Sequence, residues 1–206
     1  MKSALLTFLF SPSIDLVGTI VFFAIGVVAC GIYYRMHDER RKTRSYLGLA
    51  IIAIAIRIVF AMVKTGLQYY AWTQSELSRF FLPPYRSISY LLQYSWTHFW
   101  LNALLSVGAA LLFFGILRAL QAHNPRYFDA GEVELGALIA LVVGWPHVIV
   151  FVPVVFLLVV IISIIRGVVL HEPYTTLGLP FFLGAVIAFA LTTYIIATFH
   201  LTGVLI

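Results

Sequence analysis

From Leu16 to Tyr34 no residue carries a charge at neutral pH, and runs of this kind recur along the chain. A bilayer crossing needs about 20 mostly apolar residues in a row, so this recurrence leaves few folds open. Lipid offers the backbone no hydrogen-bond partner, and continuous apolar segments of this length satisfy their own N–H and C=O groups as helices. Composition agrees. Of 206 residues 62% are hydrophobic and 10% charged, with a mean hydropathy of +1.02. Water-soluble domains carry about 25% charged residues. The chain therefore reads as all-α: a polytopic membrane helical bundle of about six transmembrane helices, N-terminus outside, forming a single integral-membrane domain.

The first candidate span is Ile14 to Tyr34, closed by the charged loop RMHDERRKTR. The second runs from about Ser45 to Lys64 and carries Arg57 near its middle. A more polar, aromatic stretch follows, LQYYAWTQSELSRFFLPPYRS, broken at Pro83-Pro84. The segment SISYLLQYSWTHFWLNALLSVGAALLFFGILRAL exceeds one plain span, so an interfacial piece is expected to lead into a helix from about His98 to Leu120. A short span from about Val133 to Gly144 ends at Trp145-Pro146. The last two cover His147 to Ile165 and Thr176 to Leu201. The opening MKSALLTFLFSPS has one lysine and no small-x-small cleavage site, and reads as a retained anchor rather than a signal peptide.

The net charge of +5 comes from basic residues clustered beside apolar segments, which speaks for membrane orientation and against nucleic acid. With the N-terminus outside, the inner loops hold Arg35, Arg40, Arg41, Lys42, Arg44, Arg118, Arg126 and Arg166. The outer side keeps Lys2, Lys64, Arg79 and Arg86. This asymmetry places Asp38, Asp129, Glu132 and Glu134 on the cytoplasmic face. The lone Cys30 excludes a disulfide framework or a cysteine zinc site and reads as a small buried hydrophobe. No GxxxxGK loop, dinucleotide fingerprint or HExxH pair is present, so nucleotide-driven transport and zinc proteolysis lack support.

The acids at the inner face admit two readings. Asp129, Glu132 and Glu134 fall in or just before a first helical turn, where negative charge suits the macrodipole and the free N–H groups. Asp38 and Glu39 sit among basic residues as solvated partners. Alternatively, two carboxyl groups from separate helices share a proton and activate a water, one as general acid and one as base. Gly131, just before Glu132, supplies a backbone that lets a substrate approach.

The segment FDAGEVELGALIALVVGW, Phe128 to Trp145, resembles the signature of type IV prepilin peptidases, the GxGD family of intramembrane aspartyl proteases. There the pattern Gly-x-Gly-Asp-x-Lys-Leu runs into an apolar helix ending near Gly-Trp. The resemblance continues in TTLGLPFFLGAVIAF, Thr175 to Phe189, which looks like the family's entry to its last helix with Gly178, Pro180, Phe181 and Gly184 kept. LSVGAALLFFGILRAL also fits the family's third helix. These matches cover most of the second half of the chain; the first half fits by topology and charge.

The resemblance implies a multi-pass protein of the inner (cytoplasmic) cell membrane, an inner-face active site, no metal or organic cofactor, and cleavage or binding of the basic leader of pilin-like precursors. The GxGD aspartate falls on Glu132, the second glycine on Gly131, the first on Asp129, and the lysine on Glu134. The first-loop aspartate is matched by Asp38, so Asp38 and Glu132 are the implied acid/base pair, supported by Gly131 and Asp129. The family's Ile-Pro-Asn-like turn is absent after Asp38, where Arg44-Ser45-Tyr46 stands, and a shifted register puts Arg35 there with no acid. Glutamate in place of aspartate moves the carboxylate by roughly 1 Å, a displacement that can cost about a hundredfold in rate. The alternative implied by these departures is a catalytically degenerate pseudoenzyme or scaffold in a pilus or secretion assembly. A cysteine-rich insert for N-methylation has no place in a chain with one cysteine.

Arg57 is the one charge near mid-membrane. It is either functional by virtue of that position or reaches a helix end or a bundle-interior carbonyl. His98, His147 and His200 lie toward the outer face without metal-ligand spacing and read as interfacial or hydrogen-bonded. Tyr69, Tyr70, Trp72, Tyr90, Tyr94, Trp96 and Trp100 read as an outer aromatic belt.

Overall fold

Every regular element among the described residues is a helix. The structure, a computed structural model, describes residues 13–124, 128–170 and 176–198. The proposed N-terminal anchor, with Lys2, Arg126, Thr175, His200 and Leu201, lies outside the described residues.

The chain runs through α1 (Ser13–Arg35), α2 (Glu39–Gln74), α3 (Ile88–Ser95), a π-helical turn (Trp96–Trp100), α4 (Leu101–His123), α5 (Glu132–Val143), α6 (Val148–Ile165) and α7 (Gly178–Thr198). Five helical stretches are long and apolar enough to cross a membrane: Leu16–Arg35, Glu39–Gln74, Ile88–His123, Val148–Val168 and Gly178–Thr198. The chain is thus a multi-pass membrane protein with an all-α bundle.

Two elements exceed their expected lengths for local reasons. Helix α2 starts at Glu39 rather than Ser45 because Asp38 caps it, its side chain accepting from the Arg40 and Arg41 backbone N–H groups. It then runs past Lys64 to Gln74. Its 36 residues reach about 54 Å at 1.5 Å per residue, well beyond a hydrocarbon core of about 30 Å. The interfacial break expected before His98 is instead an unbroken helical path from Ile88 to His123. Its polar side chains bond back onto their own helix. Thr97 Oγ1 donates toward the Tyr94 carbonyl at 2.9 Å, and His98 Nδ1 lies 2.9 Å from the same oxygen. The widened π turn falls at these residues.

Beyond the bilayer-length portion, α2 and α3 are joined by a short 3₁₀ turn, Ser78–Phe81, and hold a small second core of Trp72, Leu82 and Leu91. Tyr90 and Tyr94 pack onto it, their ring centroids 5.9 and 5.2 Å from that of Trp72. So part of the aromatic group expected as a belt is a packed cap, while Tyr69, Tyr70 and Trp96 remain exposed.

The main core is built around α5, which packs on α1, α2, α4, α6 and α7. Apolar residues lie all round this helix, as suits one enclosed on every side. It has 12 residues, about 18 Å, too short for a crossing on its own. The fourth expected span, Val133 to Gly144, is therefore an internal helix rather than a lipid-facing one. Around it small side chains let helices approach closely, with Ala29, Ala53, Ala140 and Ala188 at 0% exposure. Phe113 packs edge-on against Phe151 and Phe181 at 5.8 and 6.2 Å.

Candidate functional site

At one end of the bundle, the C-terminus of α1 meets the N-termini of α2, α5 and α7. Arg35, Asp38, Lys42, Glu132 and Glu134 belong to these termini, and Arg118 near the end of α4 reaches Glu134 at 3.9 Å. We call this the basic end.

Glu132 is the first residue of α5 and is 1% exposed. The Tyr33 hydroxyl donates to its Oε1 at 2.7 Å, and the Leu177 backbone N–H donates to the same oxygen at 2.5 Å. Its Oε2 accepts from the Asp129 N–H at 2.9 Å. The Glu132 N–H in turn donates to the Asp129 carbonyl at 3.2 Å, closing a reciprocal turn at the helix start. Gly131 makes that turn possible at φ 84°, a left-handed conformation that side chains disfavour.

These contacts have a physical logic. A lone carboxylate taken out of water costs several kcal/mol unless donors replace its hydration. Here donors from α1, from the turn before α5 and from the segment before α7 supply about 1.5–3 kcal/mol each to a charged acceptor. The positive end of α5 adds to them. Glu132 therefore ties three parts of the chain together. The fit is tight: a Cβ added to Gly178 would lie 2.5 Å from the Tyr33 ring.

The other acids stand differently. Asp38 is exposed; its Oδ1 accepts from the Arg40 and Arg41 N–H groups at 3.0 and 3.4 Å, and its Oδ2 pairs with Arg41 Nε at 3.3 Å. Among the described residues, no hydrogen bond or ion pair joins Asp38 to Glu132 or to Asp129. Asp129 is exposed beside this clasp of donors around Glu132 and contributes its backbone N–H to it. The space next to Gly131 is occupied: a Cβ there would meet the Tyr46 ring at 3.3 Å and the Lys42 stem at 3.6 Å.

Sequence reasoning singled out Glu132, Gly131 and Asp129 but missed Tyr33 and the Leu177 N–H. The usable signal was a tyrosine at the end of an apolar run, since a buried phenol needs a hydrogen-bond partner. Tyr46 was noted only as a departure from a turn; it is 1% exposed, and its hydroxyl is buried without a partner.

Arg57 reaches bundle-interior carbonyls, the second of its two readings, through one of its nitrogens. Its Nη2 donates to the Leu141 and Val142 carbonyls at 2.7 and 3.2 Å, capping the C-terminus of α5. His98 stacks on Tyr94 and His147 lies against Phe189. Among the described residues, no group of three or more His, Cys, Asp or Glu side chains is placed to hold a metal ion.

No protein-family model, curated protein or solved structure matches the chain.

Proposed function

We propose that the chain is a prepilin-peptidase-like membrane scaffold that binds the basic leader of pilin-like precursors without cleaving it, its basic end facing the cytoplasm. The supporting observation is that both candidate catalytic carboxylates are already engaged. Glu132 spends both oxygens on Tyr33, Asp129 and Leu177, and Asp38 caps α2. Three donors take three of the roughly four lone-pair sites of the Glu132 carboxylate, and its burial leaves little access for a water or substrate proton. The exposed Asp129 beside the clasp suits contact with a cationic leader, and the likeness of Phe128–Trp145 and Thr175–Phe189 to the peptidase family names the substrate class.

One observation favours the catalytic reading. The Tyr33–Glu132 bond brings the end of α1, and so the loop bearing Asp38, to the same end of the bundle as Asp129 and Glu132. In that reading Asp38 and Glu132 cleave the precursor.

Incubation of purified protein in nanodiscs with a synthetic precursor carrying a basic leader separates the two. The scaffold reading expects saturable binding by fluorescence anisotropy and no cleavage product by mass spectrometry. Cleavage by the parent that is lost in Glu132→Gln establishes the enzyme, and absence of both binding and cleavage removes both readings.

A further inference from the structure

The short central helix leaves space above its C-terminus. Helix α5 ends at Val143, and there a cavity of about 390 Å³ opens among α1, α2, α4 and α7. Its polar lining includes Arg57, His98, Asn102 and His147, and among the described residues no acid lines it. Phe22, Phe60, Phe99 and Phe189 form apolar walls. A guanidinium and neutral donors grouped in an apolar frame match an anion that carries or lies beside hydrocarbon.

Arg57 supplies the charge. Its guanidinium stacks over the Phe22 ring at 4.3 Å and caps the α5 carbonyls through Nη2. Among the described residues it has no carboxylate partner, Nε is buried without an acceptor, and Nη1 makes no hydrogen bond. The helix C-terminus offers only about half an elementary negative charge. The turn is also shaped around this residue. Gly144 lies at φ 63°, and a Cβ there would collide with Nη2.

We infer that this cavity is a phosphoryl-binding site, with Arg57 and Asn102 as principal donors and the phenylalanine walls receiving the hydrocarbon of an anionic lipid. Guanidinium–phosphate contacts are among the stronger charge-assisted hydrogen bonds, which suits an arginine with donors to spare.

Delipidated protein in neutral detergent, mixed with equal phosphatidylglycerol and phosphatidylcholine, tests this by native mass spectrometry. Parallel melting curves with inorganic phosphate test the soluble source. The parent is expected to retain phosphatidylglycerol preferentially. Ala103→Phe, which fills the cavity while leaving Arg57 in place, and Arg57→Gln are each expected to weaken retention by about tenfold or more, as for loss of a charge-assisted contact. Stabilisation by inorganic phosphate that Ala103→Phe abolishes upholds the site with a soluble ligand instead. If neither source binds, or if Ala103→Phe binds as the parent does, the inference is overturned. Loss of stability alone in Arg57→Gln, with lipid selectivity intact, reduces Arg57 to a helix cap and likewise overturns it.

Discussion

Tyr33 and Glu132 stand 99 positions apart in the chain and 2.7 Å apart in space, so removing either partner reports on the contact directly. Tyr33→Phe keeps the ring and deletes the donor, leaving a buried carboxylate less well compensated. The expected loss is about 1–3 kcal/mol, read as a lower unfolding midpoint in detergent. Glu132→Gln is expected to cost a similar amount (about 1–3 kcal/mol) for a different reason. Its amide cannot present acceptors to the Tyr33 hydroxyl, the Leu177 N–H and the Asp129 N–H at once, so one donor faces an NH₂ group. The double variant tests the coupling: if its destabilisation equals the sum of the two singles, the hydrogen bond is not the source. This contact was not legible in the sequence, because Tyr33 reads there as the aromatic end of an apolar run and nothing local points to a residue in another helix. Glu132 was legible as a special acid through its motif, but two of its three donors are backbone groups that no side-chain pattern encodes. Asp38 was visible too, yet its surrounding basic residues concealed a simpler use, the capping of its own helix.

At the scale of elements, the apolar runs made α1 and α6 readable almost to their ends and α7 at its start, its expected end at Leu201 lying outside the described residues. The boundaries of α2 were harder, since Ser45 and Lys64 mark where apolar composition stops and not where hydrogen bonding stops. Asp38→Ala is expected to fray the first turn of α2, at a cost of about 0.5–2 kcal/mol typical of an N-cap. Faster hydrogen exchange at the Arg40 and Arg41 amides would show it, and unchanged exchange there would mean the cap carries little. The other end of α5 offers a sharper contrast. Gly144→Ala adds a side chain at positive φ and directly against the Arg57 guanidinium, so it is expected to lower the unfolding midpoint more than Asp38→Ala does. The path from Ile88 to Leu101 was expected as an interfacial piece because the whole segment exceeds one plain span, and length alone does not reveal that the helix is continuous. Thr97 and His98 meet their hydrogen-bond needs on the preceding turn, which lets the helix continue.

For the molecule as a whole, the alternation of helices puts Arg41 and Arg79 at opposite ends of α2 and its following turn. In a Cys30→Ser background, single cysteines at these two positions are expected to react with an impermeant thiol reagent from opposite sides of the membrane. Labelling from one side only would break the assigned topology. The multi-pass class was legible from composition, whereas the enclosed position of α5 was not, since a short apolar segment looks alike whether lipid or protein surrounds it. That enclosure bears on how the protein is made. A segment of 12 residues is too short to settle in lipid unaided, so α5 must be received by helices already inserted, α1, α2 and α4 among them. The ribosome delivers Tyr33 first and Leu177 last, with Glu132 between them. The carboxylate therefore reaches its full set of donors only when the segment leading into α7 arrives, and the maturation of the basic end is timed by that arrival.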